Sequence, residues 1–301
     1  MPALKLRPPK RAFLGKESGE ACAPRDARAV LIPFPLEATV SYGHGTARGP
    51  EAIIAASPEL EFFDDELWCE PYRAFGIATL QTPVVKKKIG PALGQLAGIV
   101  GAVLEEGKFP LVLGGEHGLT PGAIRPVVER HPDLAVLHLD AHADLRDGYM
   151  GEPFSHAAAL RRVLDHEGIT LVSVGIRNMS AGEVPFYEAN RDRIHIHWAR
   201  DRARWNPEEI VRPLKGRKIY VTFDVDGFDA SLMPATGTPE PGGFFWDEAC
   251  AVLRAASRAG TIVAADVVEL APIKGLHACD FVAAKLVYKI LSYALAGSRR
   301  A

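Results

Sequence analysis

Four stretches of this sequence carry acids and imidazoles at close, regular intervals. "LHLDAHADLRD" holds Asp140, His142 and Asp144, each two residues apart, and "KIYVTFDVDGFD" holds Asp224 and Asp226 at the same interval. "FPLVLGGEHGLT" delivers Glu116 and His117 behind two glycines, and "VAADVVELAP" delivers Asp266 and Glu269. In extended chain, alternate side chains leave on the same face, so a spacing of two lets each group converge on one point. All four stretches follow an apolar run, so their polar groups stand where the chain has just left a core.

Brought together, Asp140, Asp144, Asp224 and Asp226 with His117 and His142 place four carboxylates and two imidazoles at one end of a sheet. Buried without compensation, such carboxylates cost several kcal/mol each. Two divalent cations balance their charge, and a donor set rich in oxygen, poor in nitrogen and free of sulfur favours manganese over zinc. The expected cofactor is therefore two Mn2+ per chain. A single aspartate at a strand end is more often a turn former or a helix cap. The coincidence of three clusters at the ends of apolar strands is what points to metal.

These groups need a scaffold. The runs "AVLIPF", "FGIATL", "FPLVLGG", "LAVLHL", "TLVSVGI", "RIHIHW", "KIYVTF" and "TIVAADVV" read as buried strands. Segments of helical period lie between many of them, such as "IGPALGQLAGIVGAVLEEG" and "DFVAAKLVYKILSYALAG". This alternation predicts an α/β fold with a mostly parallel sheet covered on both faces. In such sheets ligands sit beyond the carboxyl ends of the strands, where the acids and histidines fall. Residues 1–25 read as a basic, solvated extension and residues 26–301 as one domain.

Composition narrows the class. A formal charge of −2 over 301 residues gives no electrostatic case for nucleic acid or an acidic membrane. There is no long apolar run for a membrane span. The four cysteines are scattered and suggest neither a zinc ribbon nor a disulfide framework. A cytoplasmic enzyme is the expectation.

The sequence resembles the ureohydrolase family of agmatinases, arginases and formimidoylglutamases, and agmatinases most closely. The stretches that carry the resemblance are "GGEHGLT", "LHLDAHADLRD", "SHAAALRRV", "TFDVDGFDASLMPATGTPEPGG" and "DVVELAP", with "PFPLEATVSYGHGTARGPEAIIAAS" near the start. It implies a three-layer α/β/α sandwich around an eight-strand parallel sheet. By motif, His117, Asp140, Asp144 and Asp224 would hold one manganese ion. His142, Asp140, Asp224 and Asp226 would hold the other, with Asp140 and Asp224 bridging. His156 falls on the family's proton-shuttling histidine and Glu269 on the acid that grips the substrate guanidinium. Assembly as a homo-oligomer, a trimer or hexamer, follows from the resemblance alone. Three departures are visible: "GGEHG" replaces "GGDHS", which puts Glu116 and Gly118 in place of an aspartate and a serine, "SHAA" replaces "SHGT", and "GFDASLMP" lacks the proline common directly after "FD".

The implied reaction is release of urea from a guanidino compound, with Asp144 relaying a proton to the leaving nitrogen and His156 resupplying it. Agmatine, or an agmatine extended at its amine, is the expected substrate. Asp147 or Glu152 would answer the distal cation, whereas Arg146 would suit a carboxylate tail such as that of guanidinobutyrate. Arginase and guanidinobutyrase activities are the alternatives. A catalytically silent scaffold is the remaining one, and the presence of all six proposed ligands weighs against it.

Overall fold

Runs such as "AVLIPF" and "KIYVTF" leave no polar alternate positions, which suits strands covered on both faces. The computed structural model describes residues 4–296; residues 1–3 and 297–301, at the outer ends of the two expected segments, lie outside the described residues. The eight expected strands form as β1 (Ala29–Phe34), β2 (Ile77–Thr79), β3 (Phe109–Gly114), β4 (Ala135–Leu139), β5 (Thr170–Ile176), β6 (Ile194–Trp198), β7 (Lys218–Asp224) and β8 (Thr261–Val268). They make one sheet in the order β2-β1-β3-β8-β7-β4-β5-β6, with every neighbouring pair parallel.

Alternate strand residues feed two cores. Leu137 and Leu139 of β4 and Ile219, Val221 and Phe223 of β7 enter the first, which α1 (Gly49–Ala56), α4 (Trp246–Ala259) and α5 (His277–Leu295) cover. Val136 of β4 and Tyr220 of β7 enter the second, under α2 (Ile89–Glu105) and α3 (Thr120–Arg130). The result is the expected three layers. Among the described residues no helix is long and apolar enough to cross a membrane.

The first segment departs from expectation. Within the stretch read as a solvated extension, Phe13 and Leu14 are completely buried in the first core. Leu6 bridges Leu80, and the Arg7 guanidinium reaches the Glu51 carboxylate and the Leu80 carbonyl. The basic residues of this segment stay outside while two apolar ones insert, so it straps the sheet edge.

The sheet order matters for the site. β3, β8, β7 and β4 are consecutive in space, so their carboxyl ends bring His117, Glu269, Asp224 and Asp140 to one place. The turn after β3 demands glycine: a Cβ at Gly115 would lie 1.9 Å from the Leu36 carbonyl oxygen. That close approach lets the loop after β1 lean over the end of β3.

Candidate metal centre and cleft

His117 is the hub of the first cluster. Its Nδ1 stands 3.1 Å from Asp140 Oδ2, 3.0 Å from Asp144 Oδ2 and 3.4 Å from Asp224 Oδ2. The second cluster forms around His142, whose Nδ1 is 2.9 Å from Asp226 Oδ2 and 3.6 Å from Asp140 Oδ1. Asp140 belongs to both through separate oxygens. All six residues expected from the spacing are thus brought together.

They arrive by different local structure than a plain extended strand. β7 ends at Asp224, and a single tight turn, Val225–Gly227, swings Asp226 back so that its amide donates to Asp224 Oδ1 at 2.8 Å. Asp144 takes a left-handed backbone, φ 52°, as does Glu269, φ 66°. Such conformations cost of order 1–3 kcal/mol in non-glycine residues and persist only where surroundings enforce them. Arg177 donates to the carbonyls of Asp226, Gly227, Phe228 and Glu240 and so ties the end of β5 to the turn after β7.

The electrostatics are those of a crowded acid cluster. Burial opposes a proton on His117, yet Asp140, Asp144 and Asp224 outweigh it and hold the imidazole well above its ordinary range. His142 is likewise pushed up to about 12, against burial, by Asp226 and Asp140. Burial and the neighbouring charges of Asp226 and Asp140 drive Asp224 well upward. Burial raises the Glu269 carboxyl to about 8, although it accepts the His117 amide at 2.6 Å.

The donor atoms fit a cation. His117 Nδ1 is buried and forms no hydrogen bond, because the three carboxylate oxygens around it lie within contact distance but out of line with an N–H. Its other nitrogen is engaged: Nε2 meets Thr222 Oγ1 at 2.9 Å, and that hydroxyl donates to Asp266 at 2.6 Å. A histidine fixed at one nitrogen, with the other turned toward carboxylates from separate strands, has the arrangement of a metal ligand.

A cleft of about 310 Å3 opens over these groups. Glu269 and His156 line it, as do Tyr42, Tyr149 and Met179. The expected tail-binding acids do not. Asp147 is largely exposed and pairs with Arg162 at 2.5 Å, while Glu152 is turned to the Phe154 amide. Both acids find local partners, which leaves them outside the lining. Arg146 does line the cleft, but it faces Glu183 at 3.9 Å and stacks 4.9 Å from the Tyr149 ring centre. Besides Asp144, Asp224, Asp226 and Glu269, the carboxylates facing the cleft are Glu183 and Glu240. Glu183 already accepts from the amides of Leu145 and Ser180 and from the Ser180 hydroxyl, whereas Glu240 stands 4.0 Å from His142 Nε2.

His138, a core histidine of β4, also touches the first cluster. It is completely buried, but its Nε2 meets Asp140 Oδ2 at 2.7 Å and its Nδ1 meets Ser173 Oγ at 3.0 Å. Its place two residues before Asp140 was the available signal.

The model of the Arginase family matches residues 27–292. An N(1)-aminopropylagmatine ureohydrolase from Synechocystis is 36% identical over 293 residues, covering 94% of each chain. An agmatinase from Bacillus subtilis is 33% identical, over 82% of this chain and 85% of its own length. Among solved structures, the agmatine ureohydrolase of Thermoplasma volcanium superposes with a TM-score of 0.81 at 29% identity, covering 91% of this chain and 92% of that one.

Proposed function

Because the chain belongs to the arginase family, we propose that it hydrolyses agmatine, or an agmatine extended at its amine, to urea and the corresponding amine. The observation that carries this reading is the pair of acid–imidazole clusters sharing Asp140, with Glu269 in the same cleft.

His117, Asp140, Asp144 and Asp224 would hold one cation, and His142, Asp140, Asp224 and Asp226 the other. Manganese is proposed for both, from an oxygen-rich, sulfur-free donor set. Two such cations supply Lewis acidity and a water acidic enough to attack at neutral pH. The chain's own groups do the rest. Glu269 pairs with the guanidinium and fixes its central carbon over the cluster, which converts an encounter into a positioned reaction. Asp144 relays a proton to the leaving nitrogen, and His156 delivers another from the cleft wall.

The tail assignment follows the charges of the wall. Tyr42, Tyr149 and Met179 offer apolar surface to a methylene chain, and Glu240 offers a carboxylate to a distal ammonium. Glu183 answers the charge of Arg146, so a carboxylate tail finds little free cation there. The same reading includes a cytoplasmic enzyme that works as a homo-oligomer, on likeness to the family.

A panel of agmatine, N1-aminopropylagmatine, arginine and guanidinobutyrate, assayed for urea with manganese-loaded protein, tests the substrate. The proposal expects kcat/KM for one of the first two to exceed the others at least tenfold. Preference for guanidinobutyrate or arginine would overturn the tail assignment and leave the reaction class standing.

A further inference from the structure

The loop after β1 reaches the cleft through a hydrogen-bonded chain that starts at Glu116. This carboxylate is completely buried. Its Oε2 accepts the amides of Ala38 and Thr39, each at 2.7 Å, and its Oε1 accepts the Thr39 hydroxyl at 3.0 Å. Thr39 Oγ1 lies 3.1 Å from His156 Nδ1, and the His156 amide donates to the same oxygen at 3.0 Å.

A hydroxyl has one proton and two lone pairs. If Thr39 gives its proton to Glu116, its oxygen can only accept from the two nitrogens of His156. We propose that Glu116, acting through Thr39, holds the neutral His156 ring in the tautomer protonated at Nδ1. Nε2 is then the nitrogen with a free lone pair for the cleft. Whatever proton passes between His156 and substrate moves at Nε2, while Nδ1 keeps its own. Glu116 and Thr39 are positioning residues in this scheme, since neither lines the cleft.

Gly118 belongs to the same device. A Cβ there would lie 3.1 Å from Glu116 Oε1 and 3.2 Å from the His156 amide nitrogen. The two departures in "GGEHG" are thereby linked: the longer acid occupies room that a side chain at position 118 would contest.

Glu116→Gln is the decisive variant. Its carboxamide oxygen would stay with the two amides, and its NH2 would face Thr39 Oγ1. The hydroxyl must then turn its proton toward Nδ1, which forces the ring proton to Nε2. Long-range 1H–15N spectra of histidine-labelled protein, kept free of paramagnetic metal and above the imidazole titration, read the tautomer directly. Wild type should show His156 protonated at Nδ1, and Glu116→Gln should show it at Nε2. Thr39→Val should lose the fixed tautomer and Thr39→Ser should restore it. In manganese-loaded enzyme, Glu116→Gln and Thr39→Val should lower kcat for agmatine about tenfold or more, with KM within about twofold. An Nε2-protonated ring in wild type, or a flipped tautomer with unchanged kcat, would overturn the proposal. The kinetic arm rests on the proposed reaction, but the spectroscopic arm does not. Absence of urea from every guanidino compound would count against that reaction and leave the tautomer result to stand alone.

Discussion

Burial raises the Glu269 carboxyl to about 8. In the proposed reaction it faces the substrate guanidinium from the cleft wall. Replacing it with glutamine keeps the shape and removes the charge. Losing one partner of a buried ion pair costs about 3–5 kcal/mol, so kcat/KM for the preferred substrate should fall roughly a hundred- to several thousandfold. Metal content should stay as in wild type, because Glu269 is not among the proposed ligands. Steady-state urea release checks this, and an unchanged kcat/KM would remove Glu269 from the guanidinium site. At this scale the sequence was readable in part: Asp140 with His142, and Asp224 with Asp226, fell together, the second pair through a tight turn rather than extended chain. It was not readable for Asp147 and Glu152. A charge in a loop points where neighbours such as Arg162 draw it, and nothing in the local pattern records those neighbours.

Elements hold these residues in place, and two of them carry more than their sequence advertises. The strap before β1 hides Phe13 and Leu14 among basic residues with no helical or strand period, so composition alone classed it as solvated. Phe13→Ala should destabilise the fold by about 3–5 kcal/mol, read as a lowered denaturation midpoint. A loss under about 1 kcal/mol would mean that the strap is loosely held. The proline- and glycine-rich loop after β7 is pinned by Asp229, which accepts from Ser231 and from the amides of Gly242 and Gly243. The Ser231 hydroxyl is the chief cause that lowers this carboxyl to about 2, against the cost of burial and with the amides of Ser231, Gly242 and Gly243 helping. Since its folded value lies below the unfolded one of about 3.9, its stabilising effect is complete above that value and is lost as pH falls toward 2. Asp229→Asn should therefore flatten the acid limb of the stability profile between about pH 4 and 2. An identical acid limb in the variant would show that the pin adds nothing. The strands themselves were legible because their apolar runs are uninterrupted and doubly buried.

At the scale of the whole molecule, sheet order does what no single motif can. The acids lie far apart in sequence, and only the adjacency of β3, β8, β7 and β4 makes them one site. That adjacency was not written in any strand. The spacing supplied the local pairs and the strand ends set them at one edge of a sheet, but the strand order that joins them came from the structure. The assembled site also sets its own pH dependence. Without metal, the carboxylates hold His117 well above its ordinary range and His142 up to about 12, so both imidazoles keep protons near neutrality. Cations must displace those protons, and metal affinity should weaken as pH falls from about 8 to 6, with protons released on binding. Calorimetric titrations in buffers of different ionisation enthalpy count them, and pH-independent binding without proton release would contradict this picture.

The central claim is a two-cation site that releases urea from an agmatine-type substrate. The most direct measurement titrates metal-free protein with Mn2+ while bound metal and urea from agmatine and N1-aminopropylagmatine are followed together. The predicted result is two equivalents bound per chain, with urea formation rising to its plateau as the second equivalent fills. Saturation at one equivalent with full activity, or two equivalents bound without urea from either substrate, would contradict it.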